Sequence, residues 1–330
     1  MSAWGSAVVC GIYTVSPLHV STGQAEGAID LPVTKEPHTG FPVIPASSLK
    51  GVARDAFEHD AKEVKDDAER ERRIKDEVHP LFGPKPKSGN QQGRQEKQGE
   101  GSAGAASTPA LFAGALVFTE ARLVAYAARS LNRPFLYVTC RLVLERLGRD
   151  LRAAGIGDLG SLSLPAGSDE VLVADKSLAR APLVIEDLVY LDAIAESATL
   201  KGIAESLARL LPDREEETRN RVEKGLVVIP DGDFSVLVRR LPVRARIRLD
   251  DNKTTSGDDG NLWYEEQVPA DCLFVSMIGA RRGRGADLDR LRTKSRLLEV
   301  SQIGGNETVG EGICLWRVGC APATAGKGAT

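Results

Sequence analysis

The sequence predicts an α+β protein whose strands pair mainly antiparallel. Three observations carry this. Short β-branched apolar runs of strand length recur along the chain, two separated stretches carry apolar residues at helical intervals, and residues 243–249 alternate strictly between apolar residues and arginine. The chain has 330 residues and is 42% hydrophobic, enough to bury one large core or two modest ones. No apolar run approaches the roughly 20 residues that span a bilayer.

Residues 6–15 read as a first strand, and their lack of a basic leader argues against a signal peptide. A glycine-broken loop with a lone His19 and a lone Asp30 follows. Next comes a helix over 47–57, with Ser47 or Ser48 as cap, Lys50 and Arg54 on one face, and Leu49, Val52, Ala53, Ala56 and Phe57 on the buried face. Free N–H groups at its amino end, together with the two cations, suit an anion. Gly51 leaves room for a bulky ligand backbone. No nucleotide motif flanks the helix, so a polyphosphate chain such as RNA fits better than a mononucleotide. The mixed-charge run 58–78 extends the helix as a solvated face. Residues 84–109, rich in Gly, Ser, Gln, Lys and Pro, read as a disordered insertion.

Strands are expected at 115–119 and 135–139, a helix at 141–151, a long helix at 185–211, and strands at 226–229 and 234–238. Period two places Arg244, Arg246 and Arg248 on one sheet face. Two readings stand for them: tracking phosphates, or charging an exposed edge against aggregation. Residues 250–261 form a turn and 262–268 the return strand of a hairpin. The glycine-rich stretch from Gly304 and Gly305 to Gly312 lacks the Lys-Ser/Thr of a phosphate-binding P-loop.

The formal net charge of −3 argues weakly against a nucleic-acid partner, but the acid concentrates in 58–77 and 213–223 and leaves a basic remainder. Five scattered cysteines without C-x-x-C spacing argue against a structural zinc and suit a reducing cytoplasm. Aspartate is a weak proton acceptor at neutral pH but a hard-oxygen ligand for magnesium, so Asp30 is either a metal ligand beside an RNA backbone or a turn residue. His19 is either a general acid–base group or a loop brace. His38 is expected to fix the loop before Gly40-Phe41-Pro42, and Glu265 and Glu266 to brace the hairpin.

These residues carry a resemblance. The pattern H-x-x-x-G…G-x-I-D-x-P-V…H-T-G-F-P-V-I-P-x-S-S-L-K-G resembles the RAMP superfamily of CRISPR effector proteins, and more narrowly the backbone subunit of Cmr-type (type III-B) RNA-targeting complexes. A-G-A-L-V-F-T-E-A-R-L-V-A-Y-A-A-R-S-L at 113–131, L-W-Y-E-E-Q-V-P at 262–269 and Q-I-G-G-N-E-T-V-G-E-G at 302–312 continue it in the family's order. The resemblance implies a single RAMP domain over 1–330. Its parts are a ferredoxin-like (RNA-recognition-motif-like) palm, a helical insertion at 185–225 and a projecting β-hairpin thumb at 239–270. It implies that Asp30 is the loop aspartate required for target RNA cleavage, acting with magnesium or another divalent cation. Gly304 and Gly305 belong to the loop near the guide, and the thumb displaces a nucleotide from the guide–target duplex. The implied partners are a guide crRNA, a single-stranded target RNA, further copies of the chain head to tail and other CRISPR effector subunits, with no membrane. Two alternatives stay open: a non-catalytic guide-binding scaffold, separable by counting target fragments, and a Csm-type homologue.

Overall fold

The computed structural model describes residues 4–320 apart from 22, 24, 26, 86–111, 158–170, 181, 192–193, 250, 252 and 254–261. In chain order its elements are β1 (Ser6–Thr14), β2 (Val43–Ile44), α1 (Ala46–Lys62), α2 (Asp67–Arg73), α3 (His79–Phe82), β3 (Leu116–Phe118), β4 (Ala121–Arg129), β5 (Phe135–Cys140) and α4 (Arg141–Ala154). There follow β6 (Val171–Val173), β7 (Leu183–Ile185), β8 (Leu188–Tyr190), β9 (Ile194–Glu196), α5 (Ala198–Ala208), α6 (Glu216–Gly225), β10 (Leu226–Ile229) and α7 (Asp231–Arg239). The chain continues through β11 (Val243–Ile247), β12 (Leu262–Glu266), β13 (Leu273–Ala280), α8 (Gly285–Thr293), β14 (Val300–Gln302) and β15 (Ile313–Cys320).

Among the described residues eleven strands make one mixed sheet, ordered β14-β15-β1-β13-β4-β5-β10-β6-β9, with β2 on β4 and β3 on β13. Pairing is antiparallel except at β5–β10 and β6–β9. The expected α+β class is therefore the one observed. β1 and β13 form its centre, in register from Ser6 opposite Ala280 to Tyr13 opposite Leu273. Every residue of β13 is buried, which is why its sequence is apolar without alternation apart from Ser276. Helix α4 presents Val143, Leu144, Leu147 and Leu151 to this sheet, at the i, i+4 and i+8 spacing of one helical face. Each such side chain, fully buried, contributes about 1.5–3 kcal/mol. Gly11 is required where α5 ends against β1: a Cβ there would lie 2.2 Å from the Leu210 carbonyl oxygen.

Several sequence expectations are corrected. Residues 185–211 do not form one helix. Their first third is the β7–β8 hairpin, turned at Glu186 with φ +52, and α5 begins only at Ala198. The turn is held by the Glu186 carboxylate, which accepts from the Arg129 backbone and guanidinium, both at 2.8 Å. Residues 234–238 lie in α7 and not in a strand. Pro230 opens that helix, Asp231 and Asp233 occupy its first turn, and Phe234, Leu237 and Val238 share its buried face. Strand β4 was not anticipated. The charged run after α1 breaks at residues 63–66, where Asp66 caps α2 by accepting from Glu69 N at 2.8 Å. It is not wholly solvated either, since Asp60 and Glu77 bind Lys294 at 2.9 and 2.6 Å. The expected insertion at 84–109 falls almost entirely outside the described residues, as does most of the turn at 250–261. No helix among the described residues is long and apolar enough to cross a membrane.

Candidate nucleic-acid interface

Strand β12 is shared by two neighbours. β11 pairs antiparallel with it, from Val243 opposite Glu266 to Ile247 opposite Leu262. On its other edge Leu31 forms a parallel bridge with Glu265. Leu31 N donates to the Tyr264 carbonyl (3.1 Å), and Glu266 N donates to the Leu31 carbonyl (3.0 Å). The Glu266 carboxylate completes the joint by accepting from Val33 N (3.0 Å) and Lys35 Nζ (2.7 Å). Asp30 thus rides on a strand edge: its Oδ2 accepts from Tyr264 N at 2.8 Å, while the side chain is exposed to solvent.

Among the described residues no cluster of three or more His, Cys, Asp or Glu could cage a metal. One exposed carboxylate with a free oxygen does fit magnesium, which keeps most of its waters and takes its remaining ligands from phosphate oxygens.

The hairpin's arginines divide. Arg244 Nη1 donates to Glu311 at 2.9 Å and Arg246 Nε donates to Glu265 at 3.0 Å, with a second Arg246 donation to Glu311. Glu311 also accepts from Gln267 and Asn306, both at 2.8 Å, and Glu265 from Trp263 (2.8 Å) and Asn306 (2.9 Å). Burial alone would raise the Glu265 carboxyl. The hydrogen bonds from Trp263, Arg246 and Asn306 outweigh it and hold the group below its ordinary range. Glu265 and Glu266 brace the hairpin as expected. Arg248 lies beyond β11 and is exposed. The opposite hairpin face is not buried, for Val243, Ile247, Leu262 and Tyr264 are 48, 55, 51 and 41% exposed.

His19 is 6% exposed, with Nδ1 at 2.8 Å from the Glu266 carbonyl; a carbonyl only accepts, so Nδ1 carries the proton. The His19 carbonyl accepts from Gly305 N at 2.9 Å. Gly304 has φ +85, and a Cβ there would lie 2.2 Å from that same oxygen. No larger residue fits. The structure thus places His19, Gly304 and Gly305 in one brace behind β12. His38 does not fix its loop: it is 69% exposed and 3.8 Å from Glu36. That work falls to Glu36, which binds Thr39 Oγ1 (2.7 Å) and Arg146 (2.6 and 2.8 Å), and to Arg239, which donates to the Thr39 carbonyl.

Helix α1 starts one residue earlier than expected, and neither Ser47 nor Ser48 caps it. Pro45 takes the cap position, its carbonyl accepting from Ser48 N (3.0 Å) and Leu49 N (3.2 Å). Both serines stand in the first turn, and Gly51 is exposed with open space above it. Arg54 is 16% exposed and bound to the buried Glu58 at 2.7 Å; Lys85 reaches the same carboxylate at 2.6 Å. Lys50 makes no ion pair among the described residues. Sequence reasoning missed Glu311, Gln267, Asn306 and Glu36. The one available signal was an acid between two glycines, Gly310 and Gly312, in a chain whose hairpin carries unpartnered arginines.

A family model described as the RAMP superfamily matches residues 12–314. The CRISPR system Cmr endoribonuclease Cmr4 of Pyrococcus furiosus is 31% identical over 313 residues, covering 93% of this chain and 94% of its own. A CRISPR system CMR subunit, Cmr4 of Saccharolobus solfataricus, is 25% identical over 324 residues, covering 92% and 93%. Among solved structures, oligomeric Cmr4 from Pyrococcus furiosus superposes with a TM-score of 0.64 at 25% identity, covering 95% of this chain and 97% of that one. A chain of a type III-B Cmr-beta complex bound to cognate target RNA reaches 0.64 at 20% identity, covering 96% and 98%, a likeness of fold.

Proposed function

Because the chain belongs to the RAMP superfamily, we propose that it is the crRNA-binding backbone subunit of a type III-B CRISPR complex, repeating head to tail along the guide and cutting complementary target RNA at regular intervals. Head-to-tail contacts generate a filament that other effector subunits cap. The guide supplies sequence specificity through base pairing while the protein holds backbone. In this reading the sheet around β1 and β13 is the ferredoxin-like palm, α5 and α6 the helical insertion, and the β11–β12 hairpin the thumb. The cytoplasm is its compartment.

The observation that carries the reading is the placement of Asp30, an exposed carboxylate fixed by one oxygen to the backbone of the hairpin strand. Cleavage proceeds by attack of the 2′-hydroxyl oxygen on the adjacent phosphorus. The O2′–P bond forms and the P–O5′ bond breaks, leaving a cyclic phosphate and a 5′-hydroxyl. The 2′-hydroxyl proton passes to solvent, and the leaving oxygen takes one back. Bound magnesium, or another divalent cation, supplies neutralisation of charge at the phosphate. Tyr264 N orients Asp30, whose free oxygen would hold that cation or one of its waters. His19, buried behind β12, acts by fixing the strand that carries Tyr264. Lys50 and the first turn of α1, with Ser47, Ser48 and Gly51, meet the guide backbone.

The test is the assembled complex carrying Asp30→Ala, loaded with guide and given a complementary target. Target binding is expected at the wild-type level with cleavage abolished, and chelation of divalent cations should stop the unaltered complex equally. Undiminished cutting by the variant ends the catalytic assignment.

A further inference from the structure

A concavity of about 440 Å³ opens where the start of α1, the end of α3, the residues leading into β3 and the turn after β13 converge. That volume lies within the range of small-ligand sites. Its walls include Ser47, Lys50, Gly83, Phe112 and Arg281. Backbone bonds seat these segments firmly: Ala115 N donates to the Pro80 carbonyl (2.9 Å), and Arg281 N donates to the Ala115 carbonyl (3.0 Å). Gly114 passes so close to α3 that a Cβ would lie 2.4 Å from the Leu81 carbonyl.

Two features of this concavity are independent of each other. Phe112 is a large aromatic left 51% exposed at the wall. Lys50, Arg281 and the adjoining exposed Arg282 have no carboxylate partner among the described residues, and Arg281 Nη1 makes a long hydrogen bond, 3.4 Å, to the Ala113 carbonyl. Cations drawn from two separate elements beside one half-exposed aromatic ring match single-stranded RNA. Phosphates take the cations, and an unpaired base stacks on the ring. A base-paired strand has no face free to stack there.

The geometry points to this concavity as an RNA-holding site in which Arg281 and Arg282, with Lys50, grip consecutive phosphates and Phe112 stacks one base. The inference rests on the RNA-binding reading above and adds to it residues more than 200 positions beyond Lys50. It also gives a role to the two leading cations of the Arg281-Arg282-Gly283-Arg284 turn.

The experiment titrates a short labelled single-stranded RNA with the full-length chain by fluorescence anisotropy across a salt series. Arg281→Glu combined with Arg282→Glu should weaken binding by tenfold or more and flatten the log–log salt dependence by about 1.4, since each single-strand phosphate contact contributes about 0.7. Phe112→Ala should weaken binding about tenfold with the salt slope unchanged, the mark of lost stacking. All three residues are exposed, so circular dichroism melts should match the wild type. Wild-type affinity and slope in the double arginine variant, with Lys50→Glu still impaired, overturn the inference and leave the RNA-binding reading standing. Wild-type affinity in Phe112→Ala overturns the stacking half, reducing the site to a charge patch that polyphosphate would fill equally well. If the unaltered chain binds no RNA, the broader reading falls with it.

Discussion

In the hairpin, Arg244 and Arg246 are bound to Glu311 and Glu265, whose side chains are 3 and 5% exposed. Beside α1, Lys50, Arg281 and Arg282 meet no carboxylate among the described residues. Both regions are cationic in sequence, but Arg244 and Arg246 are committed to acids, with Arg248 exposed beyond the strand, while the second region keeps its charge available. The hairpin's arginines neutralise two buried acids, so removing an acid leaves an arginine uncompensated instead of freeing a binding site. The lesson is that strict alternation reports which face a side chain occupies and says nothing about what it meets there. The hairpin therefore frames Asp30, and the cations beside α1 are the ones that the proposal assigns to a polyanion.

The sharpest way to break that division is Asp30→Ala, which should reduce cleavage at least about a hundredfold while leaving RNA affinity unchanged. Any loss of affinity would mean that the two regions are not separable. Next in size is Glu311→Ala. It strands Arg244 and Arg246 against a single remaining acid and should cost about 3 kcal/mol in urea denaturation. Its cleavage should fall further than its RNA binding, because β12 carries Asp30. Equal losses of both would put Glu311 outside the frame.

Separating the two α1 cations sharpens the contrast further. Lys50→Glu should weaken RNA binding about tenfold with little change in melting temperature. Arg54→Glu, facing buried Glu58, should lower the melting temperature instead. The smallest effect concerns acid. Glu265, Glu36, Glu58 and Glu77 are all held below the ordinary glutamate value of 4.5, by hydrogen bonds and cations that overcome their burial. A carboxyl with a lowered folded value stabilises above the unfolded value, and that stabilisation disappears as pH falls through the folded one. The melting temperature should therefore hold from neutrality to about pH 4.5 and drop below it. Glu265→Gln should narrow its deficit relative to the wild type over the same acid range.

Much of the fold was legible. β1, β5, β10 and α4 lie where their apolar patterns put them, because each pattern is decided within a single element facing one core. The hairpin's two strands followed from the alternation and the turn-forming residues after it, while their register is set by the fold. Residues 185–211 misled because Leu188, Leu191 and Ile194 match a helical interval as well as they match short strands, and the turn at Glu186 is held by Arg129, 57 positions away. Residues 234–238 misled because a short run of four apolar residues around Ser235 suits either structure, and only the preceding Pro230 and Asp231 mark a helix. At the site, Asp30, His19, Gly304 and Gly305 were all marked in advance, but nothing local told brace from reagent.

Sequence alone determined the strand and helix faces, the order of the family's motifs, the isolation of Asp30 and the cationic side of α1. Those properties follow from residue type and period over a few positions. Tertiary structure decided which charges remain free. Arg244 meets Glu311 across 67 positions, and Arg281 arrives beside Lys50 from the far end of β13. Compensation of charge depends on distance in space, and a chain written in one dimension specifies that only once it has folded.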